Sequence, residues 1–294
     1  MQACILQGST LVYPGVFMGG RKNEWTEKKF ARYLKEGRGQ GTGEEYIPWL
    51  KVQDVPSQGR ATRAKGWKTN RLHHFFSDHE TRLFYLLEWS DAVIDIREQF
   101  PLVEVELTQK IAANIGVRHP EDPKTKLPIV LTTDFMVTVK ANEGTQDIAI
   151  TVKPSSKLKT KRVIDKFDIE RNYYLERNIE WKIVTEKHIP KRLVNNIEWV
   201  HGDYHVNDNI ENPNRLLPIL KERLRDSDTR IGKVTDLLDQ EMKLESGTFL
   251  HLFKYLIAQK EIVLDMHSSQ YFPDMKTKDI KKIFYSTISE LNQS

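Results

Sequence analysis

Carboxylate oxygens bind hard divalent cations, and a lysine beside them can activate water or steady the charge that builds on phosphorus during phosphodiester hydrolysis. Asp134 and Lys153 are such an acid and amine. They lie in two alternating, β-rich runs, IVLTTDFMVTVK (129–140) and DIAITVK (147–153), separated by ANEGTQ with its Asn-Glu-Gly-Thr turn signal. A hairpin tip at Glu143 and Gly144 sets Asp134 opposite Lys153, and cross-strand partners share a face. Thr151, two residues before Lys153, falls on the same surface by strand alternation.

This is the spacing of the P-D…(D/E)-x-K nuclease signature. The same two residues could also form an ordinary surface ion pair worth under about 1 kcal/mol. Glu80 has a structural reading of its own: Ser77-Asp78-His79-Glu80 matches the capping box, in which the acid ties off a helix start. The glycine run GRGQGTG (37–43) lacks the closing Gly-Lys-Ser/Thr of a phosphate loop and reads as a flexible loop contacting the DNA backbone, with Arg38 in it. RATRAKGWKTNR (60–71) holds Arg60, Arg63, Lys65, Lys68 and Arg71 with no acid, a pattern that favours phosphate contact. His73 and His74 read as packing or capping residues in a chain entering a helix.

The elements that must position these residues follow from periodicity. Residues 25–36 have helical spacing through Trp25, Phe30, Tyr33 and Leu34 and stop at Gly37; residues 78–89 form a second helix capped by Ser77. AVIDIREQFPLVEVEL alternates from Val93 to Leu107 and reads as extended strand around Pro101. After the hairpin, residues 161–178 read as a helix with Val163, Ile164, Phe167 and Tyr174 inward, and IEWKIVT (179–185) as a strand. Asn, Asp, Gly and Pro concentrate at 201–214, which marks a boundary. Beyond it, stripes at Ile231, Val234, Leu237 and Leu238 and at Phe249, Leu252, Phe253 and Leu256, then the strand-like EIVLDM, give the order of a winged-helix module. The expected organisation is an N-terminal extension (1–24), an α/β domain (25–200) and a mostly helical, winged-helix-like domain (201–294).

With 45 Lys and Arg against 41 Asp and Glu, the net charge of +4 is too small to name a partner, so local clustering must do so. The single Cys4 can neither close an intramolecular disulfide nor build a thiolate metal site, which excludes zinc ribbons and fits a reducing cytosol. The uncharged first 20 residues lack a basic leader region and are broken by Pro14 and several glycines, so they read as a loose tail. No run of about 18 apolar residues occurs, so no membrane helix is expected.

Several strings carry a more specific resemblance: LKEGRGQG (34–41), YIPWLKVQDVPSQGR (46–60), HHFFSDHE (73–80), LEWSDAVIDIREQFPL (87–102), TTDF (132–135), VKP (152–154) and NIEW at 178–181 and 196–199. From about residue 25 to about 200 the chain resembles the TnsA family, the subunit of heteromeric cut-and-paste transposases that cuts the 5′-ended strand at each transposon end. The resemblance implies a restriction-endonuclease-like α/β fold followed by a winged-helix-like domain. It also implies that Glu80 and Asp134 bind Mg²⁺, or Mn²⁺, and that Lys153 is catalytic. Thr151 departs from the family, whose best-known member has Gln there. With the Thr151 hydroxyl only a weak, neutral metal ligand, the site would then lean on Glu80, Asp134 and a backbone carbonyl such as that of Val152, with Glu170 of the following helix as the place to look for a further acid. The implied partners are DNA at transposon ends, a DDE-type, TnsB-like transposase subunit and an AAA+, TnsC-like ATPase, in a bacterial cytoplasm and at the nucleoid when assembled. The alternative is a catalytically silent DNA-binding adaptor bridging those two subunits.

Overall fold

The computed structural model describes residues 24–54, 60–225 and 228–284; the expected N-terminal extension, residue 24 apart, lies outside them. Thr26 starts the first helix by accepting the amide of Lys29 at 3.1 Å, giving α1 (Glu27–Lys35). Its Tyr33 meets Trp49 edge to face, with ring centroids 5.2 Å apart, in a small aromatic core. The basic window folds as part of an antiparallel ribbon, β1 (Thr62–Lys65) and β2 (Leu72–Phe75), so His73 and His74 stand on a strand that precedes the helix. Ser77 then caps α2 (Asp78–Trp89), with the bounds expected from its periodicity.

The central sheet has four strands in the order β3 (Val93–Pro101), β4, β5, β6. Between β3 and β4 lies a helix, α3 (Val105–Asn114), whose first three residues, to Leu107, alternation assigns to strand; it buries Thr108, Ile111 and Ala112 at helical spacing. Pro101 ends β3, and the amide of Leu102 turns to the carbonyl of Leu131 at 2.8 Å. β4 (Thr132–Lys140) and β5 (Thr145–Val152) form the expected hairpin with a different register. Phe135 faces Ile150 and Lys140 faces Thr145, so Lys153 lies just beyond β5 and is not directly opposite Asp134. The shift is by two positions, which preserves the face on which each side chain projects. α4 (Lys161–Leu175) crosses over to β6 (Glu180–Val184), which pairs parallel to β5.

The two faces of the sheet are covered differently. Ile96, Phe135, Val137, Ile150 and Val152 pack in one cluster with Phe84 and Leu87 of α2. Met136 and Ala149 face Ile111 of α3 and Ile169, Tyr173 and Tyr174 of α4. The first cluster continues into the C-terminal part through α5 (Lys191–His201), which packs on α2 and on α8. There α6 (Pro213–Arg225), α7 (Ile231–Glu241) and α8 (Thr248–Ala258) precede an antiparallel pair, β7 (Ile262–Val263) and β8 (Lys282–Ile283). Ile231, Val234 and Leu238 are buried as expected, whereas Leu237 is 38% exposed. Trp67 fastens the β1–β2 ribbon to this part, stacking on His201 and Tyr204 and donating its indole N–H to the His201 carbonyl at 2.9 Å. Among the described residues no helix is long and apolar enough to cross a membrane.

Candidate active site

Three elements bring Glu80, Asp134 and Lys153 together: the first turn of α2, the start of β4 and the residue after β5. Asp134 Oδ2 accepts the backbone N–H of Val152 at 2.7 Å, which pins the carboxylate across the open end of the hairpin. Burial raises the Asp134 carboxyl pKa, against the pull of the Lys153 charge and the Val152 N–H. Glu80 is 7% exposed and its carboxyl is pushed up to about 7 by burial and then by the negative charge of Asp134, with Lys153 opposing. Lys153 therefore acts on both acids through space.

Glu80 is also tied to its own helix start, as the capping pattern implies. Its amide donates to Ser77 Oγ at 3.2 Å, the Ser77 hydroxyl donates to Oε1 at 2.7 Å, and the Phe76 amide donates to Oε2 at 3.0 Å. The reach-back goes to Phe76 where the standard box would use Ser77. These bonds hold the carboxylate in place, while the adjacent acid keeps its charge costly. The structural and chemical readings of Glu80 thus describe one arrangement.

Glu170, on α4, is 5% exposed and pushed up to about 7 chiefly by burial. Thr133 and Thr151 donate to its Oε1 at 2.6 and 2.5 Å. Each hydroxyl has one proton, so with that proton turned to Glu170 it must accept from its other neighbour. Tyr174 Oη, 2.8 Å from Thr133 Oγ1, then donates to Thr133, as Trp181 Nε1 donates to Thr151 at 3.3 Å. Both relays run toward one carboxylate. Thr151 was expected beside Asp134 and Lys153 as a weak ligand; its hydroxyl is instead turned to Glu170. Asp134 adds to the upward push on Glu170, so this acid stands within electrostatic reach of the other group.

The expected DNA-contacting cations divide in two. Arg60, Arg63 and Lys65 are exposed on and before β1, and Lys68 is half-buried, its pKa lowered by burial. Arg38 and Arg71 are corrections, since both guanidinium groups are buried on internal partners. Arg38 bonds Asp54 at 2.5 Å, Glu36 at 2.7 Å and the Trp49 carbonyl at 2.9 Å. Arg71 pairs with Glu98 through two N–H bonds of 2.9 and 2.6 Å and donates to the carbonyls of Ile96 and Gly43. His73 Nδ1 lies 2.8 Å from the same Glu98 carboxylate, which His73 and Arg71 hold well below the usual range despite complete burial.

One residue beside the site escaped sequence reasoning. Gln99 falls between the pairs Glu98 with Phe135 and Phe100 with Thr133, next to Asp134, and its amide donates to Glu80 Oε2 at 3.3 Å. Its φ is 50°, a left-handed conformation that costs a residue with a side chain about 1–2 kcal/mol. The run Arg97-Glu98-Gln99, three polar residues inside an alternating apolar strand, was the available signal.

Among the described residues no three His, Cys, Asp or Glu side chains are gathered closely enough to form a complete metal cage. Glu80 and Asp134 nonetheless fit a divalent cation: two carboxylates whose charges oppose each other and their own burial would be relieved by a hard cation, and both offer oxygen donors. Acids and an amine converging where the middle strands of a mixed sheet end are the equipment of an endonuclease. Residues 90–186 match the family model described as TnsA-like endonuclease N terminal, and residues 188–266 that described as TnsA endonuclease C terminal. The chain is 38% identical over 252 residues to the Transposon Tn7 transposition protein TnsA of Escherichia coli, covering 86% of this chain and 91% of that one. The chain belongs to the TnsA family of transposition endonucleases.

Proposed function

We propose that the chain is the metal-dependent strand-cutting subunit of a cut-and-paste transposase, hydrolysing a phosphodiester of the 5′-ended strand at each transposon end. The observation that carries this reading is the convergence of Glu80, Asp134 and Lys153 from α2, β4 and the end of β5. Glu80 and Asp134 would hold Mg²⁺ or Mn²⁺, aided by the Val152 carbonyl. When bound, the ion supplies Lewis-acid stabilisation of the negative charge that develops at phosphorus. Lys153 orients the attacking water and balances that charge from the protein side. Glu170, with both relays turned toward it, anchors Thr151 and through it the end of β5 that carries Lys153.

Arg60, Arg63 and Lys65 take backbone phosphates of the same duplex. A mixed sheet with helices on both faces supports a restriction-endonuclease-like fold for residues 25–200, and the order of α6, α7, α8, β7 and β8 supports a winged-helix-like domain over 201–294. The resemblance supplies the setting: a DDE-type, TnsB-like subunit cuts the other strand, an AAA+, TnsC-like ATPase regulates the assembly, and both act with the protein in the cytoplasm. Nicking of labelled transposon-end DNA by the full chain with its transposase partner and Mg²⁺ tests the reading; unaltered 5′-strand cutting by Glu80→Ala would refute it.

A further inference from the structure

We propose that Gln99 is a positioning residue for strand cutting, whose side-chain amide locks the Glu80 carboxylate to the sheet that carries Asp134. This rests on the reading above, in which Glu80 and Asp134 share a cation.

Glu80 and Asp134 belong to different elements, a helix start and a strand, so their separation is only as well defined as the link between those elements. The bonds from Phe76 and Ser77 fix the Glu80 carboxylate relative to α2 itself. The Gln99 amide is the donor to Glu80 that comes from the sheet, and it comes from the position of β3 beside Asp134. A neutral N–H suits the task, because with the Phe76 amide on the same oxygen it fills Oε2 and leaves the carboxylate's charge and a lone pair of Oε1 for a cation.

The backbone is bent for this contact. In a regular strand, neighbouring side chains point to opposite faces. Glu98 reaches His73 on β2 and Arg71 just before it, and Gln99 next to it reaches Glu80 at the start of α2, so consecutive side chains serve the same side. The left-handed backbone of Gln99 permits this. Glycine or asparagine fills such a position most readily. A glutamine there, 4% exposed and bonded to the acid, marks strain kept where the site is assembled.

The test separates the backbone from the amide. Gln99→Gly accepts the left-handed conformation and removes the N–H; Gln99→Asn accepts it and keeps a shorter amide. Calorimetric titration of the full-length chain with Mn²⁺, without DNA, is expected to show about tenfold to 100-fold weaker binding for Gln99→Gly, partly recovered in Gln99→Asn, with Tm in both no lower than the parent's. Nicking by the Gly variant should need correspondingly more Mn²⁺ for half its maximal rate. Parent-like Mn²⁺ affinity in Gln99→Gly, or a loss confined to Tm, overturns the proposal. Glu80→Ala measured alongside keeps the two claims apart: if it too binds Mn²⁺ and cuts like the parent, the assignment of Glu80 fails; if it alone is impaired, only the role of Gln99 fails.

Discussion

Asp134 Oδ2 accepts the backbone N–H of Val152 at 2.7 Å, one residue before the lysine that shares its site. The bond sets the hairpin end and the acid together, so the charge and the hydrogen-bonding capacity of Asp134 can be separated. Asn offers Val152 the same kind of acceptor without the charge that Glu80 opposes. Metal-free Asp134→Asn is therefore expected to unfold at or slightly above the parent's Tm, while Mg²⁺ at millimolar concentration raises the parent's Tm and leaves the variant's unchanged. Thermal scans with and without Mg²⁺ read both effects.

Burial gives the metal-free chain a defined pH dependence. Glu80 and Glu170 titrate near pH 7 when folded, against about 4.5 when exposed. At these two sites the folded state therefore binds more protons than the unfolded chain between those values, and their contribution to stability falls as pH rises through that window, against the smaller, opposite effect of His74 and His119, whose pKa burial lowers. Each acid contributes about 3 kcal/mol at most. Urea unfolding without metal should show lower stability at pH 8 than at pH 5, and saturating Mg²⁺ should flatten the slope.

Arg71 and Arg63 should behave oppositely although both lie in one basic window. Arg71→Ala leaves the Glu98 carboxylate buried with one partner fewer and should cost about 3–5 kcal/mol of stability. Arg63→Ala should leave Tm within about 1 °C, since surface changes stay near ±0.5 kcal/mol, and should reduce the slope of log affinity for DNA against log salt by about one. Denaturation and salt-titrated DNA binding distinguish the two.

Thr151→Val removes one of the two relays to Glu170 and leaves the Trp181 N–H without this acceptor. A loss of about 1–3 kcal/mol is expected, with the Glu170 carboxyl displaced further upward. Thr151→Ser, which keeps the hydroxyl, should recover most of it in the same unfolding measurement.

The contrast between Arg71 and Arg63 shows where sequence reading stops. Charge and spacing identify a basic window but not which cations find an acid, and Glu98, 27 positions from Arg71, carries no local sign of that pairing. α2 was legible to the residue because Ser77 and its apolar spacing agree, and the β4–β5 hairpin because alternation and turn chemistry agree. The register was two positions off, because the tip was placed from turn residues alone; parity kept Asp134 and Lys153 on the same face. α3 was hidden by the alternation of Val103, Val105 and Leu107 across Pro101, where the chain turns from sheet to helix. The orientation of Thr151 toward Glu170 depends on how α4 packs on the sheet, and the left-handed turn of Gln99 on what α2 presents to β3.

In the proposed function Glu80, Asp134 and Lys153 form one site that cuts DNA. The most direct measurement is strand-resolved nicking of end-labelled transposon-end duplex by the full chain, its transposase partner and Mg²⁺, comparing the parent with Asp134→Asn and Lys153→Met. Loss of 5′-strand cutting by about 10³-fold or more in each variant, with the other strand still cut and Tm retained, is the result the arrangement requires. Parent-like 5′-strand cutting by either variant would contradict it.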